Sequence, residues 1–194
     1  LHLSIRRQRQ MCIRDSMLCD VLTPDGEQAR SDPRGTLERT VQRATDMGFT
    51  VMVHPEIEFY LLHKPATPDH LVPIDGAGYF DHVTRSIAHD FRRRLVHMLE
   101  SMDIAVELSH HEGGPGQNEV DLRAVDAVRA ADNIITARTL IEYVALSEDV
   151  VATFMPKPFA DYPGSGMHTH LSLFEGDHNA FYDPAGTYQL SATG

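Results

Sequence analysis

The stretch VELSHHEGGPGQNEVDLR, residues 106–123, reads as two strands and the turn that joins them. With Ile104 just upstream, Val106 and Leu108 alternate with polar neighbours, the period of a half-buried strand. Gly113-Gly114-Pro115-Gly116 breaks the run, and Val120 and Leu122 then alternate with Glu119, Asp121 and Arg123 on the return. Glu107 falls on the polar face of the first strand, Glu112 at its end and Glu119 at the opening of the second. A turn of this length brings Glu112 and Glu119 close together. Carboxylates gathered in this way raise each other's pKa unless a cation compensates, and hard oxygen donors favour Mg2+ or Mn2+ over softer metals. A plain hairpin with an acidic rim fits the same residues. The GGPG tetrad lacks the Gly-Lys-Ser/Thr ending of a phosphate loop, and no helix begins directly behind it.

Upstream, residues 49–53 and 56–62 are β-rich, with Pro55 marking a bulge, bend or edge. Within HPEIEFYLL (54–62), Glu56 and Glu58 share one face and Ile57 and Phe59 the other. Carboxylates about 6–7 Å apart along a strand suit two neighbouring ions or an acid–base pair better than chelation of one ion; a solvated strand face has the same pattern. Downstream, in PGSGMHTHLSLF (163–174), His168, His170 and Ser172 face one way and Met167, Thr169, Leu171 and Leu173 the other. Such a histidine pair can bind one zinc ion, divide between a metal and a nucleotide, or be structural. If the three segments belong to one sheet, its polar face holds at least four glutamates and two histidines.

The remaining chain supplies the frame. Residues 17–23 read as a short strand closed by Pro24-Asp25-Gly26. Asp32 is placed to cap a helix that starts at Pro33, carries the stripe Leu37, Val41, Ala44 and Met47, and ends at Gly48. Residues 63–80 form a loop. A second helix covers about 82–102, with Val83, Ile87, Phe91, Leu95 and Leu99 inward and Arg92, Arg93 and Arg94 on a solvated side. A third covers 125–148, with Ile134, Ile135, Leu140, Ile141 and Val144 on a broad apolar face. Strands at 150–155 and 167–174 flank the loop PKPFADYPGSG, in which Lys157 faces solvent or a phosphate. Cys19 reads as a core thiol, and His110 and His111 as outer groups of a site or strand-end polar residues. Strands joined by loops and only occasionally by helices imply an α+β fold with a curved, largely antiparallel sheet.

The 194 residues include 17 basic and 28 acidic side chains, a net charge of −11 that disfavours binding to nucleic-acid phosphates. The hydrophobic share of 42% is that of a globular chain. No apolar run approaches the ~18–20 residues of a membrane span. Cys12 and Cys19 form no disulfide framework, which fits a reducing cytoplasm. Residues 1–16 (LHLSIRRQRQMCIRDS) are basic, lack the apolar core of a secretory signal, and read as a non-native leader in front of Met17.

HPEIEF, SHHEGGPGQNEVDLR, TFMPKPF and GSGMHTHLSL, in this order and spacing, resemble the glutamine synthetase family of bacterial type, from about Met17 to Gly194. The resemblance implies an ATP-dependent ligase that activates L-glutamate as a γ-glutamyl phosphate and joins it to ammonia, with two or more Mg2+ or Mn2+ ions at the base of a funnel. By the same resemblance, Glu58, Glu112 and Glu119 match ligands of a first ion, and Glu56 and His168 ligands of a second. Glu107, His170 and Ser172 match nucleotide contacts, Gly164 the loop that meets glutamate, and Tyr79 a position near the ammonium pocket. Family members more often have Asn where this chain has Pro163. With the HPEIEF variant, that departure keeps γ-glutamyl ligation to polyamines or other amines as the alternative. A relic with a binding or structural role is a reading of a different class. The family forms homo-oligomeric rings with sites between subunits. Residues 17–194 are expected to be an incomplete catalytic domain, inactive alone, without the amino-terminal domain, the clamp arginines or the catalytic flap glutamate.

Overall fold

The computed structural model describes residues 17–64, 66, 67, 69–82 and 86–194. They fall into two compact units, one ending at Thr36 and the other spanning Leu37–Gly194. In the first, the strand expected over 17–23 reduces to a single bridge between Leu22 and Gln28. Leu18, Val21 and Leu22 are exposed, and Cys19 is exposed rather than a core thiol. Buried Asp32 caps α1 (Pro33–Asp46): its carboxylate accepts from the backbone N–H groups of Arg34 and Gly35, both at 3.2 Å. Gly48, at φ +93°, ends the turn beyond the helix, and Met47 points into solvent instead of completing the stripe.

The second unit is built around β1 (Thr50–His63), a single strand through Pro55. All its partners are antiparallel. β2 (Val106–His111), β3 (Gln117–Leu122), β1, β6 (Thr169–Glu175) and β7 (His178–Asn179) follow in that order across the sheet. β4 (Val125–Asp126) and β5 (Val150–Thr153) also pair with β1. Pro55 sits where the ladder changes hands. Val53 pairs with Val125 of β4, Glu56 with Asp121 of β3, and Pro55 itself pairs with Thr169 of β6. The missing N–H therefore falls between two partners, and the strand continues through it.

Two helices, α2 (Ile87–Ser101) and α3 (Ala127–Ser147), supply the core with Phe91, Leu95, Leu99, Ala137, Ile141 and Val144. These pack with Ile57, Phe59 and Leu61 of β1 and Val120 and Leu122 of β3. Leu37 and Val41 of α1 pack in a smaller cluster with Val53, Ala127 and Ala130. Ser86 and Asp126 cap α2 and α3 through their side-chain oxygens. Ile87, expected inward, is 46% exposed, because a row of residues four apart advances about 40° per step around a helix of 3.6 residues per turn and leaves the core face. Val83, on the same expected stripe, lies outside the described residues. Ile135, expected on the apolar face of α3, is exposed. Arg92 is buried, contrary to the solvated face expected for it, and its guanidinium donates to Asn118 Oδ1 on β3. Arg93 and Arg94 do face outward, paired with Asp90 and Glu148. Among the described residues no helix is long and apolar enough to cross a membrane.

Candidate functional site: an acidic cluster on the open face of the sheet

Directly paired residues of an antiparallel sheet project from the same face, and the register brings the polar residues of four strands together. Glu56 lies opposite Asp121, Glu58 opposite Glu119, Glu119 opposite His110, and His54 opposite His170. The intervening Ile57, Phe59 and Val120 enter the core on the other side.

Two of these side chains, His110 and Glu119, converge with Glu112, the residue after β2. One ligand atom each from His110, Glu112 and Glu119 lies within 4.8 Å of the others. His110 Nε2 is 2.9 Å from Glu112 Oε1 and 3.8 Å from Glu119 Oε2. His110 is buried under Phe80, whose ring stacks on it at 4.3 Å, and its Nδ1 has no hydrogen-bond partner among the described residues. Burial, together with hydrogen bonds and charge from Glu112 and Asp121, pushes the Glu119 carboxyl up to about 10. Burial raises Asp121 as well. These hard donors, forced to keep protons where carboxylates ordinarily ionise, fit a divalent cation.

Glu58 is held rigidly beside them. Its Oε2 accepts from Gln117 Nε2 at 3.0 Å and from the Gly166 N–H at 3.1 Å, which leaves Oε1 without a donor among the described residues. Glu56 takes both histidines of β6 and its preceding residue: His168 Nδ1 lies 3.0 Å from Oε2 and His170 Nε2 2.7 Å from Oε1. Burial works to raise the Glu56 carboxyl, but the hydrogen bonds and charge of His170 and His168 hold it below its ordinary value.

The other expected positions divide. Gly164 lies next to this group, its carbonyl accepting from Gln117 Nε2 at 2.9 Å. A Cβ there would meet Pro156 O at 2.5 Å, so the turn requires glycine. Tyr79 sits at the rim, 66% exposed, its ring edge-on to His110 at 5.6 Å. Ser172 is further along β6, opposite Met52. Glu107 is not drawn in. β2 bulges between Val106 and Leu108, and Glu107 is the extra, exposed residue. The same bulge turns Leu108 outward, so the expected alternation Ile104, Val106, Leu108 loses its last member. Lys157 donates to Tyr162 O within its own loop.

Four residues enter this neighbourhood that periodicity did not single out as site members: His110, Asp121, Gln117 and Tyr60. Gln117 and Tyr60 are completely buried. Burial and the charges of Glu58 and Glu112 push the Tyr60 hydroxyl to about 12, so it remains a donor, and it donates to Pro163 O at 2.6 Å. His111, next to the cluster, turns to the other side and pairs with Asp75 at 3.1 Å.

Residues 30–194 match the family described as glutamine synthetase, catalytic domain. The chain is 54% identical over 177 residues to a glutamine synthetase of Mycolicibacterium smegmatis, covering 90% of this chain and 40% of that protein. It is 53% identical over 180 residues to a glutamine synthetase of Mycobacterium bovis, with 92% and 40% covered. A crystal structure described as a novel glutamine synthase homolog superposes with a TM-score of 0.78 at 29% identity, over 89% of this chain and 39% of that one. The chain thus spans about 40% of the length of the curated relatives it matches. With a family match over most of its residues, an antiparallel sheet of the same fold and an acidic cluster on its open face, the chain belongs to the glutamine synthetase family.

Proposed function

We propose that these residues serve an enzyme that ligates ammonia to the side-chain carboxylate of L-glutamate at the expense of ATP, giving glutamine. The observation that supports this reading is the register that sets Glu58 opposite Glu119 and Glu56 opposite Asp121, with Glu112 close to Glu119 and His168 hydrogen-bonded to Glu56. In this reading Glu58, Glu112 and Glu119 hold a first Mg2+ or Mn2+ ion, and Glu56 and His168 a second. Bound there, such ions would draw charge from phosphate oxygens and help hold nucleotide and amino acid together. Glu107, His170 and Ser172 contact the nucleotide. The loop at Gly164 seats glutamate, and Tyr79 borders the ammonium pocket.

A carboxylate is a poor acylating agent. The γ-phosphoryl group of ATP therefore passes first to the glutamate side chain, forming γ-glutamyl phosphate. Ammonia attacks its acyl carbon, phosphate leaves, and the attacking nitrogen gives up its proton. Tight placement of both substrates supplies much of the acceleration. Family membership supports a homo-oligomeric, cytoplasmic enzyme with sites between subunits.

Pro163 favours a second reading, ligation of glutamate to an amine such as a polyamine, because it offers no side-chain amide in the loop beside Gly164. A coupled phosphate-release assay on the full-length enzyme separates the two. Turnover with ammonium is expected. Turnover with putrescine or spermidine but not ammonium would reject the glutamine-forming reading in favour of the second.

A further inference from the structure

We propose that Gln117 is a positioning residue that couples the ion-binding carboxylate of Glu58 to the glutamate-seating loop at Gly164; this rests on the ligase reading above. Its buried amide is hydrogen-bonded at both ends. The oxygen accepts from Gly114 N at 3.0 Å, and the Tyr60 hydroxyl oxygen, whose proton goes to Pro163 O, lies 3.3 Å from it. The nitrogen donates to Glu58 Oε2 at 3.0 Å and to Gly164 O at 2.9 Å. A carboxylate and a carbonyl on one side, and the Gly114 N–H on the other, leave only one orientation for the amide.

One side chain thereby joins three segments: β1 at Glu58, the turn at 113–116 that follows Glu112, and the loop at 163–166. The joint has no slack. A Cβ on Gly114 would lie 2.2 Å from the Tyr60 hydroxyl oxygen, and one on Gly166 3.2 Å from Glu58 Oε1. The loop is also tied to Glu58 through Gly166 N and to Tyr60 through Pro163 O. A displacement of Gly164 when glutamate seats is therefore transmitted to the oxygen that sets the direction of Glu58. Glutamate and the ion must then strengthen each other's binding by the same factor.

The test uses the full-length enzyme. Gln117→Glu keeps the shape and the acceptor but removes both donors. Its Mn2+ affinity, read by electron paramagnetic resonance, is expected to fall about tenfold, the usual lower bound for loss of a group that orients a metal ligand. The glutamate KM should rise similarly while the ATP KM stays within about twofold, and glutamate should no longer tighten Mn2+ binding as it does in the parent. Unchanged coupling, or an equal loss for all three ligands, overturns the inference. If Gln117→Glu fails to assemble, Tyr60→Phe decides. It should raise the glutamate KM and leave Mn2+ affinity alone, and no change in KM overturns the inference. A parent enzyme inactive with every acceptor, yet showing Gln117-dependent coupling of Mn2+ and glutamate, would reject the ligase reading and not this one.

Discussion

Glu119 is buried between Glu112 and Asp121, and its carboxyl keeps its proton up to about pH 10. A carboxyl whose pKa is raised on folding adds stability below its ordinary value near 4.5, and that stability is lost as pH rises toward 10. Cation binding reverses the balance by taking the ionised form. Mn2+ binding at pH 7 should therefore release about one proton, and its affinity should climb with pH. Calorimetry of the full-length enzyme in buffers of different ionisation enthalpy measures this directly. Glu119→Gln should release no such proton and bind Mn2+ at least about tenfold more weakly. Its metal-free melting temperature at pH 7 should rise, because folding of the parent must take up a proton at Glu119 that the neutral glutamine does not need. At this scale strand alternation made Glu56, Glu58, Glu119, His168 and His170 legible in the sequence. Gln117 and Arg92 were not, and His110 was legible only as an outer group of a site or a strand-end polar residue. Their surroundings come from segments far away in the chain, and no local period marks a buried polar side chain with distant partners.

Among the elements, the sequence pattern was most reliable where a face is buried over several repeats. The alternation in β1 and β3 and the row Phe91, Leu95 and Leu99 in α2 all reach the core. It failed where one extra residue shifts the register, as a bulge is invisible in a six-residue strand. The structure makes opposite demands on two leucines. Leu108→Thr, on the outward side of the bulge, should change stability by no more than about 0.5 kcal/mol, whereas Leu99→Ala, completely buried, should cost roughly 2–5 kcal/mol. Urea unfolding of both variants checks the contrast. The short strand expected at 17–23 reduces to its pairing with the residues just beyond the Pro24-Asp25-Gly26 turn, and among the described residues no other strand pairs with it.

For the whole molecule, the net charge of −11 gains a location, since four of the predicted ion ligands are glutamates close to one another on one face. Their mutual repulsion is relieved only by a cation or by protons. At about 100 times its Kd, Mn2+ should add about 2.7 kcal/mol of stability per site, and chelation with EDTA should remove it. A thermal scan of the enzyme with and without the ion reads the difference.

The register of β1 also sets an order of events in folding. Glu56 meets His168 across 112 positions of chain, and Tyr60 meets Pro163 across 103. Loops of that length must close before either contact forms, which slows assembly. The hairpin of β2 and β3 needs only a short turn, so His110, Glu112 and Glu119 can gather early, while the Glu56 half of the site must await the docking of β6. An ion that needs both halves arrives after the sheet is complete. It then acts as a brake on unfolding rather than a seed for folding.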